Sequence, residues 1–366
     1  MPTSARVVVC LPGTNVLEVE DLTIADPGPN QVVVRQFASG VCHSQLHNIH
    51  SPRKAPLLLG HESTGIVIAK GSAVNHVEEG DTVFVTWVPR NIAAARRKLE
   101  LAKIDRPGKE LAASRNVFTW ADHTIADEQY VVKVPANIPT DVTAIVGCAV
   151  MTGAGAVLNT AEVKRGDSVA IYGVGGVGLS AVVAAKMVGA NPIIAVDVDD
   201  EKLAFAQRFG ATHTVNAAST NAIEAIRALT TAESGWDYAQ EPVAGADFVF
   251  DCIGRPQTMS DILLATRTGA FGERPGGTAV LVGVPQTNLD LDARHMLMNE
   301  KKYIASIGGS CQPDRDFPVF LAWHREGTLP LEQMVTRSYG IDQINEACDD
   351  LEHGRIAGRS ILTFEH

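Results

Sequence analysis

The chain has 366 residues, more than a single hydrophobic core usually supports, so two domains are predicted. Its composition, with 45% hydrophobic and 20% charged residues, is typical of a globular protein, and its net charge of −11 argues against a nucleic-acid partner. The sequence shows no signal-peptide pattern and no apolar run of membrane-spanning length, and its six cysteines are scattered. We therefore expect a cytoplasmic protein with no membrane segment and no disulfide framework.

The first 153 residues are rich in predicted β-structure. Short apolar runs such as 31–35 and 65–69 are separated by Gly, Pro and Asn, which predicts short strands joined by turns. The tail from residue 307 returns to short mixed elements, and its strand-like run 360–364 is expected to fold back onto the N-terminal part. The sequence thus predicts one domain built from residues 1–153 and 307–366.

The intervening residues, 154–306, alternate apolar strand-like runs with segments of helical apolar spacing. The predicted strands are 168–172, 192–196, 248–251 and 278–282. The predicted helices are 178–189, 201–209 and 222–229. This alternation of strand and helix is typical of a doubly wound parallel sheet, so an α/β cofactor-binding domain is predicted here.

A glycine-rich turn follows the first of these strands. Gly173, Gly175 and Gly178 have G-x-G-x-x-G spacing after a strand and before a helix, which is the context that a dinucleotide-binding loop requires. Gly173 allows the tight turn, Gly175 lets the backbone approach a pyrophosphate, and Gly178 lets the helix pack on the strand. Asp197, at the end of the second strand, suits hydrogen bonds from ribose hydroxyls and repels a 2′-phosphate. NAD is therefore predicted over NADP, with a purely structural turn as the alternative.

Three possible metal ligands, Cys42, His61 and Cys148, lie upstream of this loop. Taken singly, a cysteine is usually a small buried apolar residue. Together, two thiolates and one imidazole form a three-ligand zinc site whose fourth position is open to water or substrate, as catalytic zinc requires.

With these residues, the sequence resembles the zinc-dependent alcohol dehydrogenases of the medium-chain dehydrogenase/reductase superfamily over nearly its whole length. The segments that carry the resemblance are 40–47, 60–65, 79–81, 147–155, 173–178 with Asp197, 251–255, 282–285 and 358–364. Segment 311–318 resembles the branch that includes class III-like and thiol-adduct formaldehyde dehydrogenases. The resemblance implies a Rossmann cofactor domain, a β-rich GroES-like catalytic domain, and assembly as a homodimer or homotetramer.

The resemblance also implies roles for individual residues. Cys42, His61 and Cys148 match the ligands of the catalytic zinc. Ser44 matches the hydroxyl that contacts the substrate oxygen, His47 the outer end of a proton relay, and Glu62 a carboxylate that can approach the metal. Cofactor contacts are implied for His43, Thr152, Gly173, Gly175, Gly176, Val177, Gly178, Asp197, Lys202, Ile253, Arg255, Val282 and Arg359. Trp87 and Trp120 match positions that line the substrate pocket, and core packing is the alternative for both.

The chain departs from this family pattern in two places. Many members hold a structural zinc with four closely spaced cysteines, but residues 87–100 contain no cysteine, so one catalytic Zn²⁺ per chain and no structural zinc are predicted. A short amphipathic helix over 91–104 could take the place of the metal, and a solvated loop is the alternative. In the catalytic site, Gln45 stands where Asp is common and His43 where Arg is common, which would weaken the zinc site and the hold on pyrophosphate, respectively.

The sequence therefore predicts an NAD-dependent zinc alcohol dehydrogenase that transfers hydride reversibly between a small-molecule alcohol and NAD⁺, with zinc holding the alkoxide or carbonyl oxygen. Primary or aromatic alcohols and their aldehydes are the expected substrates. Two other enzyme classes remain open: a thiol-adduct formaldehyde dehydrogenase, and a zinc-free quinone or enoyl reductase of the same superfamily. An NAD-binding protein without catalysis is the remaining alternative, and the presence of both Ser44 and His47 argues against it.

Overall fold

The computed structural model of the protein describes residues 2–99, 101–135, 138–232, 234–270 and 272–365. The chain divides into two units, Met1–Ala149 with Gln312–His366, and Val150–Cys311. The sequence placed these divisions after residue 153 and after residue 306, whereas the structure has them after Ala149 and after Cys311.

The strands and helices of the described residues have the following bounds. The strands are β1 (Thr3–Cys10), β2 (Leu17–Ile24), β3 (Gln31–Val41), β4 (Leu57–Leu58), β5 (Ser63–Lys70), β6 (Thr82–Val85), β7 (Lys103–Ile104), β8 (Ala112–Ala113), β9 (His123–Asp127), β10 (Val131–Lys133), β11 (Val169–Tyr172), β12 (Ile193–Asp197), β13 (His213–Asn216), β14 (Phe248–Asp251), β15 (Thr278–Leu281), β16 (Lys302–Ala305), β17 (Val335–Gly340) and β18 (Arg359–Thr363). The helices are α1 (His43–His50), α2 (Ile92–Ala95), α3 (Ala149–Gly155), α4 (Gly176–Val188), α5 (Asp200–Phe209), α6 (Ala222–Leu229), α7 (Pro256–Ala265), α8 (Ala293–Asn299), α9 (Pro313–Arg325), α10 (Leu331–Met334) and α11 (Ile344–Glu352).

The first unit is built on two sheets. One has the strand order β2-β1-β4-β8-β7, and the other has the order β10-β6-β5-β3-β18-β17, with β9 also pairing with β3. The long strand β3 is central because it pairs antiparallel with β5, β9 and β18. In the last of these pairs Ser360 lies opposite Val41, which confirms that the closing strand folds back onto the N-terminal part. Apolar side chains of these strands form the buried cores of the unit.

The second unit contains a parallel sheet in the order β13-β12-β11-β14-β15-β16. This is the doubly wound order in which the chain runs outward in one direction and then reverses beside β11. The four inner strands β11, β12, β14 and β15 are largely buried, as expected for a sheet covered by helices on both faces. The α/β prediction is confirmed, and each predicted strand and helix of this part lies within a few residues of an observed one. Among the described residues, no helix is both long enough and apolar enough to cross a membrane.

The helix predicted over 91–104 is wrong in extent. Of the residues in this stretch that the structure describes, only Ile92–Ala95 are helical, and the Asn91 side chain accepts a hydrogen bond from the Ala94 N–H at the start of this helix. Beyond it the chain leaves the helix and pairs β7 with β8, while Ala102 and Ile104 become buried. Tertiary burial and strand pairing therefore override the helix propensity of this stretch. Glu100 lies outside the described residues.

Candidate functional site

Four side chains with metal-binding atoms converge inside the first unit. Cys42 follows β3 and is the N-cap of α1, His61 lies between β4 and β5, and Cys148 follows a 3₁₀ turn that ends at Gly147. The ligand atoms of these residues and of Glu62 all lie within 4.8 Å of one another. The Cys42 and Cys148 sulfurs are 3.9 Å apart, and His61 Nε2 lies 3.2 Å from Cys148 Sγ. Sequence positions more than 100 residues apart thus form one cluster.

Two glycines make room for the acidic member of this cluster. A Cβ on Gly40 would overlap the Glu62 carboxylate, and a Cβ on Gly147 would lie 3.3 Å from Glu62 Cβ. Since the Glu62 carboxylate is completely buried, these glycines allow β3 and the turn before Cys148 to pack directly against it. The glycines beside the predicted ligands therefore have a steric role in assembling the site.

Glu62 is paired with a residue from the far end of the chain. Arg359 Nη2 donates a hydrogen bond to Glu62 Oε1, and the Ala149 N–H donates to Glu62 Oε2 at 3.3 Å. Burial raises the pKa of the Glu62 carboxyl, while the Arg359 charge opposes that rise. Burial by itself would lower the pKa of Arg359. The nearby Glu62 carboxylate and the two cysteines have the larger effect, so the Arg359 pKa is raised. No local sequence pattern predicts this pair, because the two residues are 297 positions apart.

The donor set of the cluster suits zinc. The pKa of the Cys42 thiol is held well below its usual value, first by the hydrogen bond between the two cysteine sulfurs and then by the nearby Arg359 and His61 charges. A buried thiolate, a second cysteine and an imidazole are the ligands that three-coordinate protein sites offer to catalytic zinc. Cys42, His61 and Cys148 are 7%, 8% and 6% exposed, so the low dielectric favours a bound cation that neutralises the Cys42 thiolate.

Gln45 contacts the imidazole of this cluster from the side away from the sulfurs. Its Nε2 lies 2.6 Å from His61 Nδ1, and its Oε1 accepts a hydrogen bond from the Gly60 N–H at 2.9 Å. Gln45 is 5% exposed and lies on the buried face of α1. Its amide therefore helps to fix the orientation of the His61 ring.

The predicted proton-transfer residues lie on α1 next to Cys42. Ser44 Oγ donates a hydrogen bond to Cys42 Sγ at 3.3 Å. His43 is exposed, His47 is half-buried, and their ring centroids lie 5.7 Å apart in a perpendicular arrangement. Burial lowers the pKa of His47, so this imidazole is neutral at neutral pH and able to accept a proton.

The two tryptophans predicted for the substrate pocket have different environments. The Trp87 ring lies 6.2 Å from the His61 ring, and its Nε1 is buried with no hydrogen-bond partner among the described residues. Trp120 is fully buried in a core cluster with residues of β1, α1 and α11, and its Nε1 donates to the Gly40 carbonyl at 3.1 Å. The Trp120 side chain thus has the core environment that the sequence left open as the alternative to a pocket position.

The glycine-rich turn lies in the second unit, between β11 and α4. Gly173 has a φ of 81°, which favours glycine, and a Cβ on Gly178 would overlap the Gly173 carbonyl. Gly175 is the N-cap of α4, has no side chain to occupy the helix end, and would have no described atom within 4 Å of an added Cβ. The free N–H groups and positive dipole end of α4 are thus open to a phosphate, so this loop fits a dinucleotide.

Asp197 ends β12 beside this loop. Its Oδ2 accepts a hydrogen bond from the Val174 N–H at 3.0 Å, and its Oδ1 accepts from the Val198 and Asp199 N–H groups at 2.8 and 3.3 Å. A carboxylate has about four acceptor positions, so one remains for a ribose hydroxyl. Asp197 therefore also anchors the glycine-rich turn to the next strand, a role that the sequence did not predict.

The remaining predicted cofactor residues belong to several elements and stay predictions. In the second unit, Thr152 has a buried Oγ1 without a partner among the described residues, and Val282 is buried after β15. Ile253 is 38% exposed, and Arg255 is the N-cap of α7. The other predicted contacts of this unit are Gly176 and Val177 in the first turn of α4 and Lys202 in α5.

Comparisons with known proteins agree with this arrangement. Residues 28–136 match the alcohol dehydrogenase GroES-like domain, and residues 176–326 match the zinc-binding dehydrogenase domain. The chain is 28% identical to an alcohol dehydrogenase class-3 from Cereibacter sphaeroides and 28% identical to an S-(hydroxymethyl)glutathione dehydrogenase from Paracoccus denitrificans, in each case over 98% of this chain and 99% of the relative. The crystal structure of benzyl alcohol dehydrogenase from Acinetobacter calcoaceticus superposes with a TM-score of 0.85 at 27% identity, over 99% of this chain and 100% of that one. The chain therefore belongs to the zinc-dependent alcohol dehydrogenases of the medium-chain dehydrogenase/reductase superfamily and is an oxidoreductase of that family.

Proposed function

We propose that the protein is an NAD-dependent zinc alcohol dehydrogenase that interconverts a small alcohol and its aldehyde or ketone. The observation that carries this proposal is the convergence of Cys42, His61 and Cys148, whose ligand atoms lie within 4.8 Å of one another in a buried cluster. Asp197 supports NAD over NADP, because its carboxylate at the end of β12 would repel a 2′-phosphate.

The residues of α1 divide the proton chemistry between them. When bound, zinc supplies a Lewis acid for the substrate oxygen, and the nicotinamide supplies the hydride acceptor or donor. Ser44 Oγ, which now donates to Cys42 Sγ, rotates to accept the hydroxyl proton of the substrate. The His47 imidazole, kept neutral by its lowered pKa, accepts that proton and exchanges it with solvent. Cys42, His61 and Cys148 hold the metal, and the buried Arg359–Glu62 pair keeps their surroundings ordered.

Primary and aromatic alcohols are the proposed substrates. Trp87 supports this choice, because a large indole beside His61 offers an apolar flat surface close to the reacting centre. The similarity to a benzyl alcohol dehydrogenase points to the same substrate class.

The experiment that tests the proposed function is zinc analysis of the purified protein, together with NAD-linked turnover of an alcohol and aldehyde panel. About one zinc per chain and turnover that a chelator abolishes would support the proposal, and NAD binding without zinc would overturn it.

A thiol-adduct formaldehyde dehydrogenase is the second candidate, supported by the similarity to the S-(hydroxymethyl)glutathione dehydrogenase. The same preparation distinguishes the two: a kcat/KM for the glutathione–formaldehyde adduct well above that for benzyl alcohol would favour the second candidate. A zinc-free quinone or enoyl reductase is disfavoured by the complete ligand set.

We also propose that the protein forms a homodimer or homotetramer, which light scattering of the purified protein would test.

A further inference from the structure

The Gln45 amide is held from two sides. The Gly60 N–H is always a hydrogen-bond donor, so the Gln45 atom that faces it at 2.9 Å must be the oxygen. That choice turns the NH₂ group toward His61 Nδ1 at 2.6 Å. Turning the amide over would bring the NH₂ group against the Gly60 N–H, placing donor against donor. The orientation of this buried amide is thus determined by the backbone beside it.

This orientation conflicts with the way in which His61 would bind a metal. His61 Nε2 is the ring nitrogen that faces the cluster, since it lies 3.2 Å from Cys148 Sγ. A neutral imidazole that coordinates through Nε2 carries its proton on Nδ1, and Nδ1–H then needs an acceptor. The one acceptor oxygen of Gln45 faces Gly60, whereas the NH₂ group of Gln45 faces the ring nitrogen whose proton would need an acceptor. A carboxylate at the same place would satisfy both donors at once.

We propose that Gln45 is a positioning residue whose amide orientation, fixed by Gly60, weakens the binding of zinc through His61. This inference rests on the proposed function, which assigns His61 as a ligand. Binding of zinc therefore places the His61 Nδ1–H against the Gln45 NH₂ group, unless the amide shifts so that its one oxygen is shared with the Gly60 N–H. A poorly satisfied buried donor is costly. Changes to the hydrogen-bond partner of a metal-binding histidine alter affinity by roughly 10- to 100-fold.

Gln45→Glu is the sharpest test, because it keeps the length and shape of the side chain and supplies the second acceptor. The zinc dissociation constant is measured by competition with a chromophoric chelator for the wild-type chain, Gln45→Glu and Asn48→Asp. The last variant is a matched control that adds the same charge to α1 at a half-buried position outside the cluster. We expect zinc to bind roughly 10- to 100-fold more tightly to Gln45→Glu, and Asn48→Asp to change the constant by less than about twofold. An unchanged constant in Gln45→Glu, or an equal change in the control, would overturn the proposal.

The Gly60 amide signal in a ¹⁵N-resolved NMR spectrum provides a second measurement. In the wild-type chain, zinc should shift this signal upfield and speed its exchange with solvent, because Gln45 Oε1 is drawn toward His61. In the Gln45→Glu variant, zinc should leave the Gly60 signal unshifted. If this variant does not fold, Gln45→Asp replaces it in the experiment. An unshifted wild-type signal with zinc bound would count against the proposal. These outcomes differ from those expected if the proposed function itself is wrong. In that case zinc would not bind at one ion per chain, or it would bind equally well to the Cys148→Ser variant.

Discussion

An ion pair that follows residues 87–100, the stretch without the family's structural cysteines, yields a quantitative prediction. Arg106, between β7 and β8, donates from Nε to Glu20 Oε2 at 2.8 Å, and a second bond joins its Nη2 to Glu20 Oε1. Lys109 Nζ donates to Glu20 Oε1 at 2.9 Å. The side chains of Arg106 and Glu20 are only 4% and 11% exposed, whereas that of Lys109 is 56% exposed. The bidentate Arg106–Glu20 pair therefore ties this segment to β2 with little screening by solvent.

The pKa of Glu20 measures the strength of this tie. Hydrogen bonds from Arg106 first, and then from Lys109, outweigh burial and lower the Glu20 pKa from 4.5 to about 2. A difference of that size corresponds to about 3 kcal/mol, which solvent screening around the exposed Lys109 reduces to about 2 kcal/mol. Because the folded pKa lies below the unfolded one, this stability is fully present above pH 4.5 and is lost as the pH falls toward 2.

The variant is Glu20→Gln, which removes the charge and keeps the shape. Urea unfolding should show a loss of about 2 kcal/mol at pH 7 and a smaller loss at pH 3.5. Glu18→Gln is the matched control on the same strand, since Glu18 is exposed, and it should change stability by less than about 0.5 kcal/mol. Equal losses of stability in the two variants, or a Glu20→Gln loss that does not depend on pH, would contradict a stabilising role for the Arg106–Glu20 pair.

Four further predictions concern the site and the core. Cys148→Ser should lose bound zinc together with NAD-linked turnover while keeping NAD binding, as followed by elemental analysis and cofactor fluorescence; retained zinc would contradict its role as a ligand. His47→Gln should lower kcat by roughly 100-fold and flatten the acidic limb of the pH profile, and an unaltered profile would exclude it from proton transfer. Asp197→Ala should raise the KM for NAD and lower the ratio of kcat/KM with NAD to kcat/KM with NADP. If that ratio does not change, the Asp197 carboxylate has a purely structural role. Trp120→Ala should cost about 3–5 kcal/mol in urea unfolding, and a loss below about 1 kcal/mol would contradict its burial in the core.

Much of the fold follows from local patterns in the sequence. The strands β11, β12, β14 and β15 are short apolar runs bounded by turn residues, and the helices between them have regular apolar spacing, so both could be located from the sequence. The glycine spacing placed the turn before α4 because its requirements are local: a left-handed φ at Gly173 and contact between Gly178 and the Gly173 carbonyl. The helix predicted over 91–104 was wrong in extent because tertiary contacts, which are not local, decide the structure there. The helix propensity of this stretch is weak compared with the burial of Ala102 and Ile104 and the pairing of β7 with β8.

The fold class, the family resemblance and the types of ligand could all be predicted from the sequence, because they depend on composition, periodicity and short spacings. The partners of the buried polar groups become visible only in the folded chain. It pairs Glu62 with Arg359 from β18, turns the Gln45 amide toward Gly60 and His61, joins Glu20 to Arg106, and places Trp120 in the core. These contacts join residues from different elements of the first unit. They form because a buried charge or amide must find a partner wherever the packed strands bring one, and no local sequence pattern encodes that meeting.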